Sequence, residues 1–99
     1  MSRVLRSHTA RRDLKEIGRR IAADSGSTEI AVRWLTAFAE RCALHATHPE
    51  MGELCASLGE SVRRFSFGSY VVYFHRVSGG IELLRVWHGS RETPSDWLI

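Results

Sequence analysis

The chain has 99 residues, with 14 basic and 11 acidic side chains giving a formal charge of +3, and 43% of its residues are hydrophobic. These values suit one small domain, residues 1–99, with a single core, and exclude a chain of two cores or a disordered polyelectrolyte. No apolar run is long enough to span a bilayer, and Met1 to Leu14 is basic without an apolar leader core, so the expected compartment is the cytoplasm.

In chain order, Arg3–Ser7 is β-prone and reads as an edge strand. Thr9 is the expected N-cap of a first helix over about Ala10–Asp24, with Leu14, Ile17, Ile21 and Ala22 on one face. Gly26, within Ser25-Gly26-Ser27, stops that helix. Ser27 or Thr28 then caps a second helix running to about Ala46. Its wide apolar stripe is expected to bury Ile30, Ala31, Trp34, Leu35, Phe38, Cys42 and His45. The short connection makes an antiparallel helical hairpin. His48-Pro49-Glu50-Met51-Gly52 is a stop and turn, and Glu53 to Leu58 reads as one loose helical turn.

Three strands are predicted next, at about Val62–Phe67, Tyr70–Val77 and Ile81–His88. Gly68-Ser69 fits a two-residue type II′ turn, which sets Phe67 opposite Tyr70, Phe65 opposite Val72 and Arg63 opposite Phe74. Ser78-Gly79-Gly80 fits either a two-residue loop or a three-residue loop with a bulge. The two choices differ by one residue of register, so the face on which Arg85 lies stays open. Thr93–Ile99 reads as a capped turn or a tail. Helices followed by an antiparallel meander predict an α+β fold: an N-terminal strand, the helical hairpin, then three antiparallel strands, with both helices on one sheet face.

The charge is uneven. Residues 1–50 carry nine basic and six acidic side chains, residues 51–99 carry five of each, and 13 of the 14 basic residues are Arg. Arg favours bidentate pairing with carboxylate or phosphate, although a codon preference for Arg accounts for most of the excess. Arg11, Arg12, Arg19 and Arg20 place four guanidinium groups on the first helix. Asp13, Glu16 and Asp24 interleave with them, which reads as a solvated helix face rather than a nucleic-acid patch. Cys42 and Cys55 lack a zinc or redox spacing, and His45 with His48 lacks the ligands to complete a site. No metal and no cofactor is expected.

The richest segment is Leu84-Arg85-Val86-Trp87-His88-Gly89-Ser90-Arg91-Glu92, where an apolar strand ends in a cluster of Arg, Trp, His and Glu. Strand ends and the loops after them are where a rigid sheet presents chemistry. Arg63 and Arg64 are adjacent and point to opposite sheet faces. One must bury its stem or find an acid, and the other is available to an acidic partner. Trp87 and Trp97 have the character of interface anchors, as do the Arg residues, whereas Trp34 is more simply core.

Five segments taken together resemble the ParE/RelE superfamily of type II toxin–antitoxin toxins over essentially the whole chain. They are Ala10-Arg11-Arg12-Asp13-Leu14-Lys15-Glu16-Ile17, His48-Pro49-Glu50-Met51-Gly52, Val62-Arg63-Arg64-Phe65, Gly68-Ser69-Tyr70-Val71-Val72-Tyr73-Phe74 and Leu84–Glu92. The likeness is nearest to the ParE branch, in which an Arg-Val-x-His-Gly-x-Arg segment with an acidic residue is typical. Glu92 stands where Asp is common.

The resemblance implies a cytoplasmic toxin encoded beside a small DNA-binding antitoxin whose C-terminal arm wraps it, the pair repressing its own operon. DNA is then met only through the antitoxin, and the protein is a hetero-oligomer. The ParE branch implies growth inhibition by binding DNA gyrase, without covalent chemistry. The expected target-binding residues are Arg63, Arg64, Arg85, Trp87, His88, Arg91, Glu92 and Trp97.

The alternative is the RelE branch, a ribosome-dependent, metal-independent mRNA endoribonuclease. Arg85, His88 and Arg91 would then supply acid–base and phosphate-binding groups. Two departures weigh against it. Val71 stands where a strand Arg is expected, and Trp97 stands near the position of a C-terminal Tyr, with no ionisable proton to offer. A second alternative is a non-toxic homologue that acts only within a repressor complex.

Overall fold

A computed structural model describes residues 2–90. It contains strand β1 (Arg3–Arg6), helices α1 (His8–Ser25) and α2 (Thr28–Thr47), and strands β2 (Glu53–Leu54), β3 (Val62–Phe67), β4 (Tyr70–Val77) and β5 (Gly80–His88). The five strands form one mixed sheet in the order β1-β5-β4-β3-β2. β1 runs parallel to β5, and the other neighbours are antiparallel. The α+β class and the helical hairpin are as expected. The sheet is wider than the expected meander, because β1 joins β5 and β2 joins β3.

The helix ends follow from short-range chemistry. α1 begins two residues earlier than predicted because Ser7, not Thr9, is the cap: its hydroxyl accepts the Ala10 N–H at 3.0 Å. Gly26 closes α1 in the left-handed conformation, with φ +68°. Ser27 caps α2 by accepting the Ile30 N–H. Of the loose helical turn expected at Glu53 to Leu58, Ala56–Leu58 forms a 3-10 turn, while Glu53 and Leu54 form β2, with Glu53 opposite Arg64 and Leu54 opposite Arg63. Backbone pairing to β3 outweighs a helical propensity that only a few residues express.

Phe38, Cys42 and Ala46 of α2 and Ala10, Leu14 and Ile17 of α1 pack on Phe65, Val72, Phe74, Ile81, Leu83 and Val86 of the sheet. Trp34 is partly buried against this core, stacked on Phe38 and edge-on to Phe67 and Tyr70. Ile30, expected in the core, is exposed. It lies in the first turn of α2, off the seam of Ala31, Phe38, Cys42 and His45 that faces the rest of the core.

The first hairpin has the predicted register, with Phe67 opposite Tyr70, Phe65 opposite Val72 and Arg63 opposite Phe74. Gly68 takes φ +58° and Ser69 keeps a negative φ, as a type II′ turn requires. The open question at the second turn has a two-part answer. Val77 faces Gly80 across a two-residue loop, and Phe74 faces Leu83, but Tyr73 faces Arg85. The extra residue, Leu84, is a bulge in the middle of β5 rather than at its turn. That bulge keeps Ile81 and Leu83 on the helix-covered face near the turn and returns Val86 to the same face beyond it. Arg85 therefore shares the opposite face with Tyr73.

Candidate functional site

The second half of β5 is built differently from the first. β1 stops with Arg6 opposite Leu83, so Leu84 to His88 have no strand on that side. Backbone groups left there need other partners, and the start of α1 supplies them. The Ser7 hydroxyl donates to the Leu84 carbonyl at 3.0 Å. The Asp13 carboxylate accepts the Val86 N–H at 2.9 Å and also takes Arg85 in a two-pronged pair, from Nε at 2.8 Å and from the second guanidinium nitrogen at 3.1 Å. Both side chains of that pair are only 15% exposed. Asp13, expected on a solvated helix face, is thus a partly buried link between α1 and the sheet. Its only signal in the sequence was an acid within a run of Arg.

From Arg85 the site spreads across the sheet. Its guanidinium carbon lies 4.6 Å from the centre of the Trp87 ring, a cation–π contact. Register puts Arg64, Tyr73 and Arg85 in one row across β3, β4 and β5, with Ser66, Val71 and Trp87 in the next row. Pleat alternation places both rows on the face away from the helices. Arg64 pairs with Glu53 at 2.9 Å, and its bonds to Glu53 and Tyr73 push its pKa up. An open groove of about 360 Å³ runs beside this row, lined by Arg64, Tyr73, Leu54, Cys55 and Leu58. Tyr73 was not singled out from sequence, because a Tyr in a β-rich run carries no functional signal of its own.

Arg63 and His88 alternate to the other face. The Arg63 guanidinium donates to the Gly52 carbonyl at 3.0 Å and so fastens the turn that precedes β2. His88 stands edge-on to Tyr70. Its Nδ1 accepts the Ser90 N–H at 3.2 Å and lies 2.6 Å from the Ser90 hydroxyl. Because Nδ1 accepts, the proton of the neutral ring sits on Nε2. His75, on β4, pairs with Glu82 at 2.7 Å. Between α1 and the end of β5 lies a cleft of about 50 Å³, lined by Asp13, Glu16, Arg20, Tyr70, Trp87 and His88. It has room for water rather than for a nucleobase.

Of the eight expected target-binding residues, Arg64, Arg85 and Trp87 come together on one face, and Arg63 and His88 flank it from the other. Arg91, Glu92 and Trp97 lie outside the described residues. Among the described residues, no group of His, Cys, Asp and Glu side chains is arranged to hold a metal ion.

The fold is a small α+β domain with Arg64, Arg85 and Trp87 on one sheet face. The family model for the ParE toxin of the type II toxin–antitoxin system parDE matches residues 4–93. The chain belongs to that family and is a toxin of a type II toxin–antitoxin system, a class that implies a cognate antitoxin. No curated protein matches it. Among the described residues, no helix is long and apolar enough to cross a membrane.

Proposed function

We propose that this toxin acts in the cytoplasm by binding DNA gyrase and stalling it, and that a small DNA-binding antitoxin neutralises it. The observation that carries the reading is the row of Arg64, buried Tyr73 and Arg85 beside Trp87 on the sheet face away from the helices. Arg and aromatic side chains on a rigid sheet suit capture of a protein surface. Arg64, partly exposed and paired with Glu53, offers guanidinium contacts, Trp87 offers apolar area, and Arg85 makes a cation–π contact with the indole. His88, at the end of β5 on the other face, and Arg91, Glu92 and Trp97, outside the described residues, are further candidate contacts in this proposal.

The ribonuclease reading fits less well. It asks Arg85 to hold a phosphate, yet that guanidinium already neutralises Asp13. It also asks for acid–base work from His88, which lies on the sheet face opposite Arg85 and has Nδ1 engaged by Ser90. Induced expression tests the proposal in cells, read by plasmid topoisomers and by primer extension on a translated message. Relaxed or broken plasmid with intact message is the expected result. Cleaved message with normal supercoiling would overturn it.

A further inference from the structure

We propose that Asp13 is a positioning residue for the target-binding face, holding Arg85 and, through it, the Trp87 indole in the geometry that the toxin presents. This rests on the reading of that face as the toxic surface.

The argument begins with how much one carboxylate does. Its Oδ2 accepts both the Arg85 Nε–H and the Val86 backbone N–H, and its Oδ1 accepts the second Arg85 nitrogen. Two successive residues of β5 are therefore fixed by one side chain, 72 or more positions away in the chain. The backbone bond fixes the height of the strand on α1. The two-pronged bond fixes the plane of the guanidinium, since a planar fork tolerates little rotation. With the guanidinium held 4.6 Å from the Trp87 ring centre, the indole is confined from one side. Alternation puts Arg85 and Trp87 on one face, the bulge at Leu84 turns that face away from the helices, and the edge of β5 beside α1 lacks a strand, so Asp13 meets Arg85 there.

A purely structural role would cost stability alone. A positioning role also disturbs Trp87 and toxicity in molecules that remain folded. Asp13→Asn tests this, because an amide oxygen still accepts the Val86 N–H while the negative charge that pairs with Arg85 is lost. Glu16→Gln is the control: it removes an exposed carboxylate lining the same cleft. The readouts are the Trp87 indole N–H resonance, assigned with Trp87→Phe, and growth arrest on induction, compared at equal folded protein.

Asp13→Asn is expected to shift the Trp87 resonance and weaken toxicity by about tenfold or more, the size of effect that loss of a charge-assisted bond gives, while Glu16→Gln changes neither. An unmoved Trp87 resonance would overturn the inference, as would full toxicity in folded Asp13→Asn. Equal effects from Glu16→Gln would overturn it too, by assigning the effect to charge alone. Because growth arrest is read without reference to the target, a failure of the gyrase assignment leaves this test intact. If the unmodified protein arrests no growth, the toxic-surface reading fails and the Trp87 resonance alone decides whether Asp13 positions the indole.

Discussion

His45 lies flat on Phe65, with ring centroids 3.9 Å apart and planes 11° from parallel. The histidine is buried, and both of its nitrogens are used: Nδ1 donates to the Met51 carbonyl at 2.9 Å, and Nε2 accepts from Arg41 Nε at 3.3 Å. The Arg41 guanidinium also covers the Phe65 ring. Only the neutral imidazole satisfies this set of bonds. A second ring proton would face the Arg41 donor.

Acid should therefore weaken the fold at this point. Burial lowers the His45 pKa below 6.5, and the Arg41 charge lowers it further against the raising effect of the Met51 bond. Between the lowered native value and the unfolded value near 6.5, the unfolded chain binds more protons than the native one. The contribution of His45 to stability is then present above about pH 6.5 and is lost as pH falls through the native value. Urea midpoints at neutral and mildly acid pH would show this. The native protein should lose more on acidification than His45→Gln, which keeps a donor for Met51 but cannot titrate. Parallel losses would refute the assignment.

The two thiols should differ in reactivity. Burial pushes the Cys42 thiol up to about 12, whereas Cys55 is partly exposed and its thiol is raised by burial, with Arg64 opposing and Glu53 adding to that rise. The thiolate is the reactive form. Alkylation of native protein at pH 8, followed by mass mapping, should label Cys55 first and Cys42 only on unfolding. Equal rates would mean that α2 opens far more readily than its packing implies.

Gly80 should tolerate no side chain. A Cβ there would collide with the Arg3 carbonyl in the parallel pairing of β1 with β5. Gly80→Ala has to displace β1, at a cost of about 1–3 kcal/mol as for other overpacked sites. Chemical denaturation checks the figure, and an unchanged midpoint would show that β1 adds little to stability.

Asp13 and Arg85 should be strongly coupled in stability as well. The pair is mostly shielded from water and shares a backbone N–H, so it differs from an exposed bridge such as Arg76 with Glu50. A double-mutant cycle with Asp13→Ala and Arg85→Ala should give an interaction energy of about 1–3 kcal/mol. Additive losses would show that the two residues act independently.

Much of this architecture was legible in the sequence, because the signals were local. Gly26 and Gly68 mark backbone that needs positive φ, and the strand boundaries at Val62, Phe67, Tyr70 and Val77 follow from alternation and the turn between them. What escaped were long-range relationships. The bulge at Leu84 is the clearest case. Ile81 and Leu83 are buried at a spacing of two, and Val86 follows at a spacing of three, so the period breaks where the chain reads as continuous apolar strand. Asp13 escaped for a similar reason, since its partners are β5 groups and nothing in the local charge pattern separates it from Glu16. Thr9 lost the cap to Ser7 because Ser7 also serves the Leu84 carbonyl, a second bond that no helix rule contains.

The central claim is that the face carrying Arg64, Tyr73, Arg85 and Trp87 captures gyrase. Its most direct test is a supercoiling assay with purified gyrase, relaxed plasmid and ATP, comparing the native toxin with Trp87→Ala and Arg64→Ala, each confirmed as folded. The account predicts that the native protein inhibits supercoiling or accumulates cleaved plasmid, and that Trp87→Ala weakens this by about tenfold or more, as truncation of an aromatic anchor does. Full supercoiling at high excess of folded native toxin would contradict it.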